Sequence, residues 1–248
     1  MPFTYAQIAL IADIHGNLPA LEAVAEDLTR RGIERIFCLG DMCGRGPDGA
    51  EAIDWCREHC EVIIVGNWDL FIGNESEDKA YGYAHALGAE RCAWLASLPL
   101  VHKMWISGHY THLLHGRPCP MVNHAMMTEE GSEALAVYFD VIPDVRRPDL
   151  VGYADIHRQF KHDYHDQART LFNIGSIGNS FSEATAHYAI LRGEVGSERP
   201  APLGIEFVSV PYDNAEAVRR ARAAPWFAER YITPYEIEVT EGRWQPGI

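Results

Sequence analysis

Along much of this chain, apolar residues come in short blocks that stop abruptly at carboxylates, amides or imidazoles. The first block, starting at Ile8, runs into Asp13-Ile14-His15-Gly16-Asn17. So continuous an aliphatic run predicts a strand buried on both faces, with Asp13 and His15, two apart, on one side of its carboxyl end. Leu18, Leu21, Val24, Ala25 and Leu28 then share a helical face, and Gly32 ends the helix. The pattern repeats. A strand over Ile33 to Leu39 ends in Gly40-Asp41 and the glycine-rich Met42-Cys43-Gly44-Arg45-Gly46-Pro47, a helix carries Ala50, Ala52, Ile53 and Trp55, and Val62 to Val65 ends in Gly66-Asn67-Trp68-Asp69. Strand and helix units that all finish in polar donors predict an α/β sheet gathering one site at its carboxyl edge.

Residues 73–98, rich in small and acidic types, predict helices on the sheet flank. Val101 to Ile106 and Tyr110 to Leu114 read as strands about the turn at Ser107-Gly108, and the second reaches His115-Gly116. A peripheral loop over 119–148 should contain a helix from Glu130 to Phe139. The next strand begins at Leu150 and runs into Asp155-Ile156-His157. Alternation then predicts strands at Phe160, Thr170 to Ile174, Tyr188 to Leu191 and Ile205 to Val210, with a turn at Gly175-Ser176-Ile177-Gly178. A helix over 214–224 follows, and the segment after it shows no readable pattern. No linker or repeat divides the chain, so one domain over 1–248 is expected, motif-bearing over 8–191. A strand and helix extension over 203–248 is expected to serve packing or self-association.

Composition narrows the function. A formal net charge of −14 over 248 residues excludes general nucleic-acid backbone binding and attraction to an anionic membrane. The absence of a long apolar span or a signal-like leader makes the expected location cytoplasmic. Cys38, Cys43, Cys56, Cys60, Cys92 and Cys119 form no CxxC pair, so neither a thiolate zinc site nor a redox dithiol is expected. Cys56 and Cys60, four apart on a helix, are read as small core residues.

The strand ends supply Asp13, His15, Asp41, Asn67, His115, Asp155 and His157, all oxygen or imidazole donors. Such a set can hold two divalent ions about 3.5–4 Å apart, although a lone D-x-H triplet equally reads as a loop carboxylate capping a helix. In order along the chain stand D-x-H, G-D-x-x-x-R-G-P, G-N-x-D, H-G, Ala154-Asp155-Ile156-His157 and Asn173-Ile174-Gly175-Ser176-Ile177-Gly178. This series resembles the calcineurin-like metallophosphoesterase superfamily.

The resemblance implies a sandwich of two mixed β-sheets flanked by α-helices. It places a first metal on Asp13, His15 and His157, a bridge at Asp41, and a second metal on Asn67, His115 and Asp155. It implies hydrolysis of small phosphodiesters, nucleotides or phosphomonoesters by a metal-bridging hydroxide. Asp41, Arg45 and Asp69 would be catalytic, Asp69 by orienting neighbouring groups, and Asn17, Arg45 and Trp68 would touch substrate. The guanidinium of Arg45 suits a phosphate oxygen, or alternatively a salt bridge that orders its loop.

Two positions depart from the family pattern. Asp155 stands where histidine is usual, which favours manganese, iron or magnesium over zinc or nickel, or leaves the second site half-filled. Trp68 replaces a histidine able to protonate a leaving group, which suits good leaving groups or diesters. These departures keep alive an alternative, a catalytically weakened binding scaffold or nucleotide sensor, and a homo-oligomer is a further expectation. Gly108-His109-Tyr110-Thr111-His112 imitates the G-H-x-H motif, but its histidines are three apart and read as surface residues or outer supports. His102, His124, His162 and His165 are read as surface residues.

Overall fold

The computed structural model describes residues 5–74, 82–116, 135–181 and 183–245. In the first strand, β1 (Tyr5–Ile11), Ile8 and Leu10 enter one buried cluster while Ala9 and Ile11 enter another. This is the period-two consequence of a strand covered on both faces. Helix α1 (Leu18–Arg31) follows, capped by the Asn17 side chain at its start and by Gly32 at φ 66° at its end. Next come β2 (Arg35–Cys38), α2 (Gly49–His59), β3 (Val62–Ile63), α3 (Asn67–Asn74), α4 (Tyr83–Leu87) and α5 (Ala89–Ser97).

Strands β4 (Val101–Ile106), β5 (His109–Leu114), β6 (Leu150–Tyr153), β7 (Gln159–Tyr164), β8 (Arg169–Ile174), β9 (Ala186–Glu194) and β10 (Gly204–Val210) complete two five-stranded sheets. One has the order β10-β9-β1-β2-β3, and the other β4-β5-β6-β8-β7. Both are mixed. β1 pairs in parallel with β2, and β2 with β3, while β9 runs antiparallel to β1. In the second sheet β5, β6 and β8 are parallel, with antiparallel β4 and β7 at the edges.

The sheets meet face to face over Ile8, Leu10 and Phe37 from one and Leu113, Leu150 and Phe172 from the other. The opposite face of the first sheet is covered by α1 and α2 and by the C-terminal helices α6 (Asn214–Ala223) and α7 (Glu229–Glu241). This is the predicted sandwich of two mixed sheets flanked by helices. Among the described residues no helix is long and apolar enough to cross a membrane.

Several local expectations change. The segment read as patternless carries α7, whose Tyr231, Tyr235, Glu238 and Val239 are buried at helical spacing despite Pro234 within it. Of the helix expected over 130–139, residues 136–139 form a short 3-10 turn, and 130–134 lie outside the described residues. Cys119 and His124 lie outside them too. His112 is not a surface residue: it is buried, with Nε2 3.2 Å from Asp144 Oδ2. That carboxylate also accepts from Tyr110 Oη at 2.5 Å and pairs with Lys103 at 2.8 Å.

Candidate metal centre

The parallel strands β1, β2 and β3 deliver Asp13, Asp41 and Asn67 past their carboxyl ends, and β5 and β6 deliver His115 and Asp155 from the facing sheet. The post-strand loops stay in register, with Asp13 N–H donating to Gly40 O, His15 N–H to Asp41 O and Gly16 N–H to Met42 O, each at 3.0 Å. Behind them the turn after β8 closes the gap between the sheets. Ser176 Oγ and Gly178 N–H both donate to Asp13 O, at 2.9 and 2.8 Å, and Asn173 Nδ2 donates to Ala154 O at 2.5 Å. A Cβ on Gly178 would lie 1.8 Å from Ile14 O, so only glycine allows this approach.

Asp13 and His15 do come together, but strand alternation is not the reason. β1 has ended at Ile11, and both residues hold left-handed backbone, at φ 52° and 51°. Asp155 and His157 repeat this at 71° and 56°, and Asp41 and Arg45 adopt 53° and 65°. Non-glycine residues rarely hold such angles, and they gather where surrounding structure over-determines them.

The side chains form two overlapping groups, Asp13 with His15 and His157, and Asp13 with Asp41 and His115. Asp13 Oδ1 lies 3.2 Å from His157 Nε2, 3.7 Å from His15 Nε2 and 3.8 Å from His115 Nε2. Asp41 Oδ2 faces both groups, 3.6 Å from His15 and 3.4 Å from His115. His115 Nε2 also meets Asn67 Oδ1 at 2.8 Å and Asp155 Oδ1 at 3.8 Å. The seven predicted donors therefore converge at one end of the sandwich.

Tautomers follow from the outer contacts. His157 Nδ1 donates to Asn179 O at 2.5 Å, and His115 Nδ1 to Leu39 O at 2.7 Å. Each ring thus turns the lone pair of Nε2 inward, the arrangement that orients a ligating imidazole. His15 and His157 face each other Nε2 to Nε2 at 3.3 Å. Asp13 Oδ1 is buried without a hydrogen-bond partner. Acceptors turned on acceptors in a dry site call for a shared cation, so these residues fit divalent metal.

The carboxylates and imidazoles of the site shift one another strongly. Burial pushes the Asp13 carboxyl up, but the imidazoles of His157 and His115 outweigh it and hold it at about 2. Burial against the carboxylates of Asp41 and Asp13 ends in the opposite balance at His115, which is raised well above its ordinary value. Burial, with His157 beside it, depresses His15. Asp41 is raised by burial.

The residues expected around the donors behave differently. Asp69 does not face the donors. Its carboxylate accepts backbone N–H groups from Asp41 at 2.7 Å, Met42 at 3.0 Å, Gly66 at 3.1 Å and Cys43 at 3.4 Å. It is a positioning residue for the Asp41 loop, and burial beside Asp41 pushes its carboxyl to about 6. The Asn17 side chain is likewise engaged within the protein. Its Oδ1 accepts from Ala20 N–H at 3.2 Å, and its Nδ2 donates to Gly178 O at 2.9 Å and to Tyr212 Oη at 3.2 Å. Trp68 stands edge-on to His15 at 6.2 Å and lies over Gly44, where a Cβ would come within 2.5 Å of the indole. Its backbone N–H donates to Asp41 Oδ1 at 2.8 Å.

Of the two readings of Arg45, the structure contains the ion pair. The guanidinium donates through Nε to Glu238 Oε2 at 3.2 Å and through Nη2 to Glu238 Oε1. Glu238 and Asn179 were not foreseen. The spacing of Tyr231, Tyr235, Glu238 and Val239 carried a helical signal for the first, and none was present for Asn179.

The family model of the calcineurin-like phosphoesterase superfamily domain matches residues 7–195. A protein of Methanocaldococcus jannaschii, the uncharacterized MJ0912, is 30% identical over 250 residues, covering 91% of this chain and 97% of its own length. Among solved structures, a metallophosphoesterase from Sphaerobacter thermophilus has a TM-score of 0.71 at 22% identity, covering 94% of this chain and 98% of its own. The hypothetical protein PH1004 from Pyrococcus horikoshii has a TM-score of 0.71 at 22% identity, covering 97% and 100%.

Proposed function

The chain belongs to the calcineurin-like phosphoesterase superfamily, and from that premise we propose that it is a metal-dependent phosphoric ester hydrolase with two divalent ions at one centre. Asp13, His15 and His157 would hold the first ion, Asn67, His115 and Asp155 the second, and Asp41 would face both. The observation that carries this reading is Asp13 Oδ1, buried without a hydrogen-bond partner amid three imidazole nitrogens. The ions would supply Lewis-acid activation of water and of the phosphoryl oxygens.

The chain's own residues do the rest. Leu39 O and Asn179 O fix the rings of His115 and His157, and Asp69 holds the Asp41 loop through its backbone. Trp68 walls the His15 side and offers no acidic proton to a leaving group. Leaving groups that depart without protonation are therefore favoured, and the family resemblance puts phosphodiesters ahead of monoesters. Asp155 adds a carboxylate to the second cluster and supports oxygen-preferring manganese, iron or magnesium. On this reading the C-terminal strand and helices belong to the same domain as the motif strands. The intact donor set supports a hydrolase over a scaffold or sensor.

The test is metal analysis of protein purified without chelator, followed by manganese-stimulated turnover of a chromogenic diester. Asp41→Ala is expected to lose both metal stoichiometry and turnover. A variant that kept full activity and its metal would refute the assignment.

A further inference from the structure

The buried ion pair of Arg45 joins the candidate centre to a part of the chain that contributes no metal donor. Glu238 lies on α7, beyond every strand that carries a motif. Its carboxylate gathers donors from three separate segments: Arg45 in the loop after β2, Asn179 Nδ2 at 3.1 Å in the turn after β8, and Gln245 N–H at 2.9 Å past the helix. Arg45 Nη2 also donates to Gln245 O at 3.2 Å. The Arg45 side chain is 7% exposed and that of Glu238 1%.

Both partners border the first cluster. Gly46 N–H, next to Arg45, donates to His15 O at 2.8 Å, and a Cβ on Gly46 would lie 2.5 Å from that same oxygen. On the other side, Asn179 gives its amide to Glu238 and its carbonyl to His157 Nδ1. An ion pair this dry does not exchange its partners freely with solvent, so its geometry is set by the fold.

We propose that Glu238 is a positioning residue: it holds the Arg45 guanidinium beside the first cluster and so sets the centre's affinity for a tetrahedral oxyanion, the phosphate of the substrate. The proposal rests on the phosphoesterase reading above. It gives α7 a task in that site, supplied by the carboxylate of one residue acting through Arg45.

The test is a double-mutant cycle on the manganese-loaded full chain, read as the affinity for inorganic phosphate by calorimetry. Glu238→Gln is expected to weaken phosphate about tenfold, the low end for loss of an outer support, with manganese stoichiometry unchanged. Arg45→Gln should weaken it at least as much. In the Arg45→Gln background, Glu238→Gln should add nothing, because both act through one group. Effects that multiply in the double variant would overturn the proposal. So would a Glu238→Gln protein that binds phosphate as tightly as the parent, or more tightly.

If Glu238→Gln does not fold, Glu238→Asp keeps the charge on a shorter arm, and parental affinity in that variant overturns the proposal equally. A parent that binds phosphate but cleaves no ester removes the hydrolase reading and leaves the cycle to decide. A parent that turns over diesters yet binds no phosphate removes the proposal and leaves that reading intact.

Discussion

Replacing Asp69 by asparagine separates a carboxylate that builds the centre from one that takes part in its chemistry. In the folded protein the two oxygens divide four backbone donors, with Asp41 and Gly66 N–H on Oδ2 and Met42 and Cys43 N–H on Oδ1. An asparagine offers one acceptor oxygen and turns its NH2 toward the other pair. Two charge-assisted bonds are lost, each worth about 1.5–3 kcal/mol, which gives a gross loss of about 3–6 kcal/mol. The carboxylate is itself penalised by burial, which pushes it to about 6, so the low end of that range is expected. For a chain of this size about 3 kcal/mol corresponds to a fall in Tm of about 6–12 °C.

Because the lost bonds hold the backbone that carries Asp41, metal affinity should fall with stability. The assay is urea denaturation of the metal-free protein paired with manganese calorimetry. A variant with parental stability and parental metal binding, yet no turnover, would refute the reasoning and return Asp69 to the chemistry.

Gly66→Ala is expected to weaken manganese binding in calorimetry by about 10- to 100-fold, because its Cβ would lie 2.0 Å from Asp41 Oδ1 and 2.3 Å from Asp41 N and would displace that carboxylate. Asp27 gives the pH prediction. Burial raises its carboxyl, but Tyr188 Oη at 2.6 Å, Arg30 and Arg31 Nε at 2.7 Å outweigh this and hold it below its ordinary value of 3.8. Its stabilisation is therefore full above 3.8 and lost as pH falls through the lower folded value. Asp27→Asn should cost about 1–3 kcal/mol near neutral pH by urea denaturation. The gap to the parent should narrow as the titration goes below 3.8, and a gap independent of pH would contradict the assignment.

The strand-end donors were legible because their signal is local. A run such as Ile8 to Ala12 stops at Asp13, and the stop itself marks the edge of the sheet. Repetition at Asp41, Asn67, His115 and Asp155 turned a weak triplet into a site. What the sequence did not show was whatever depended on distant partners. Asn17 has the residue type and place of an anion binder, yet its amide is spent on Gly178 and Tyr212, far along the chain. Asp69 sits within the G-N-x-D motif, and only the fold shows its oxygens turned to backbone N–H groups. For His112 the sequence leaves surface residue and outer support both open, and only the fold brings Asp144 across to bury it. Glu238 was lost with the helix that carries it, whose apolar positions are interrupted by Pro234 and several carboxylates.

The left-handed backbone of the donor loops also limits how this sequence can drift. At φ 71° position 155 admits glycine, asparagine, aspartate and histidine far more readily than branched or bulky residues. The same holds for positions 13, 15, 41 and 157. The side chains enriched in this backbone, aspartate, asparagine and histidine, are ones that offer oxygen or imidazole to a cation, although Arg45 and Ala168 show that others can be held there. Aspartate and histidine at position 155 are thus two members of the short set that this backbone favours, and either would offer a ligand atom to a cation.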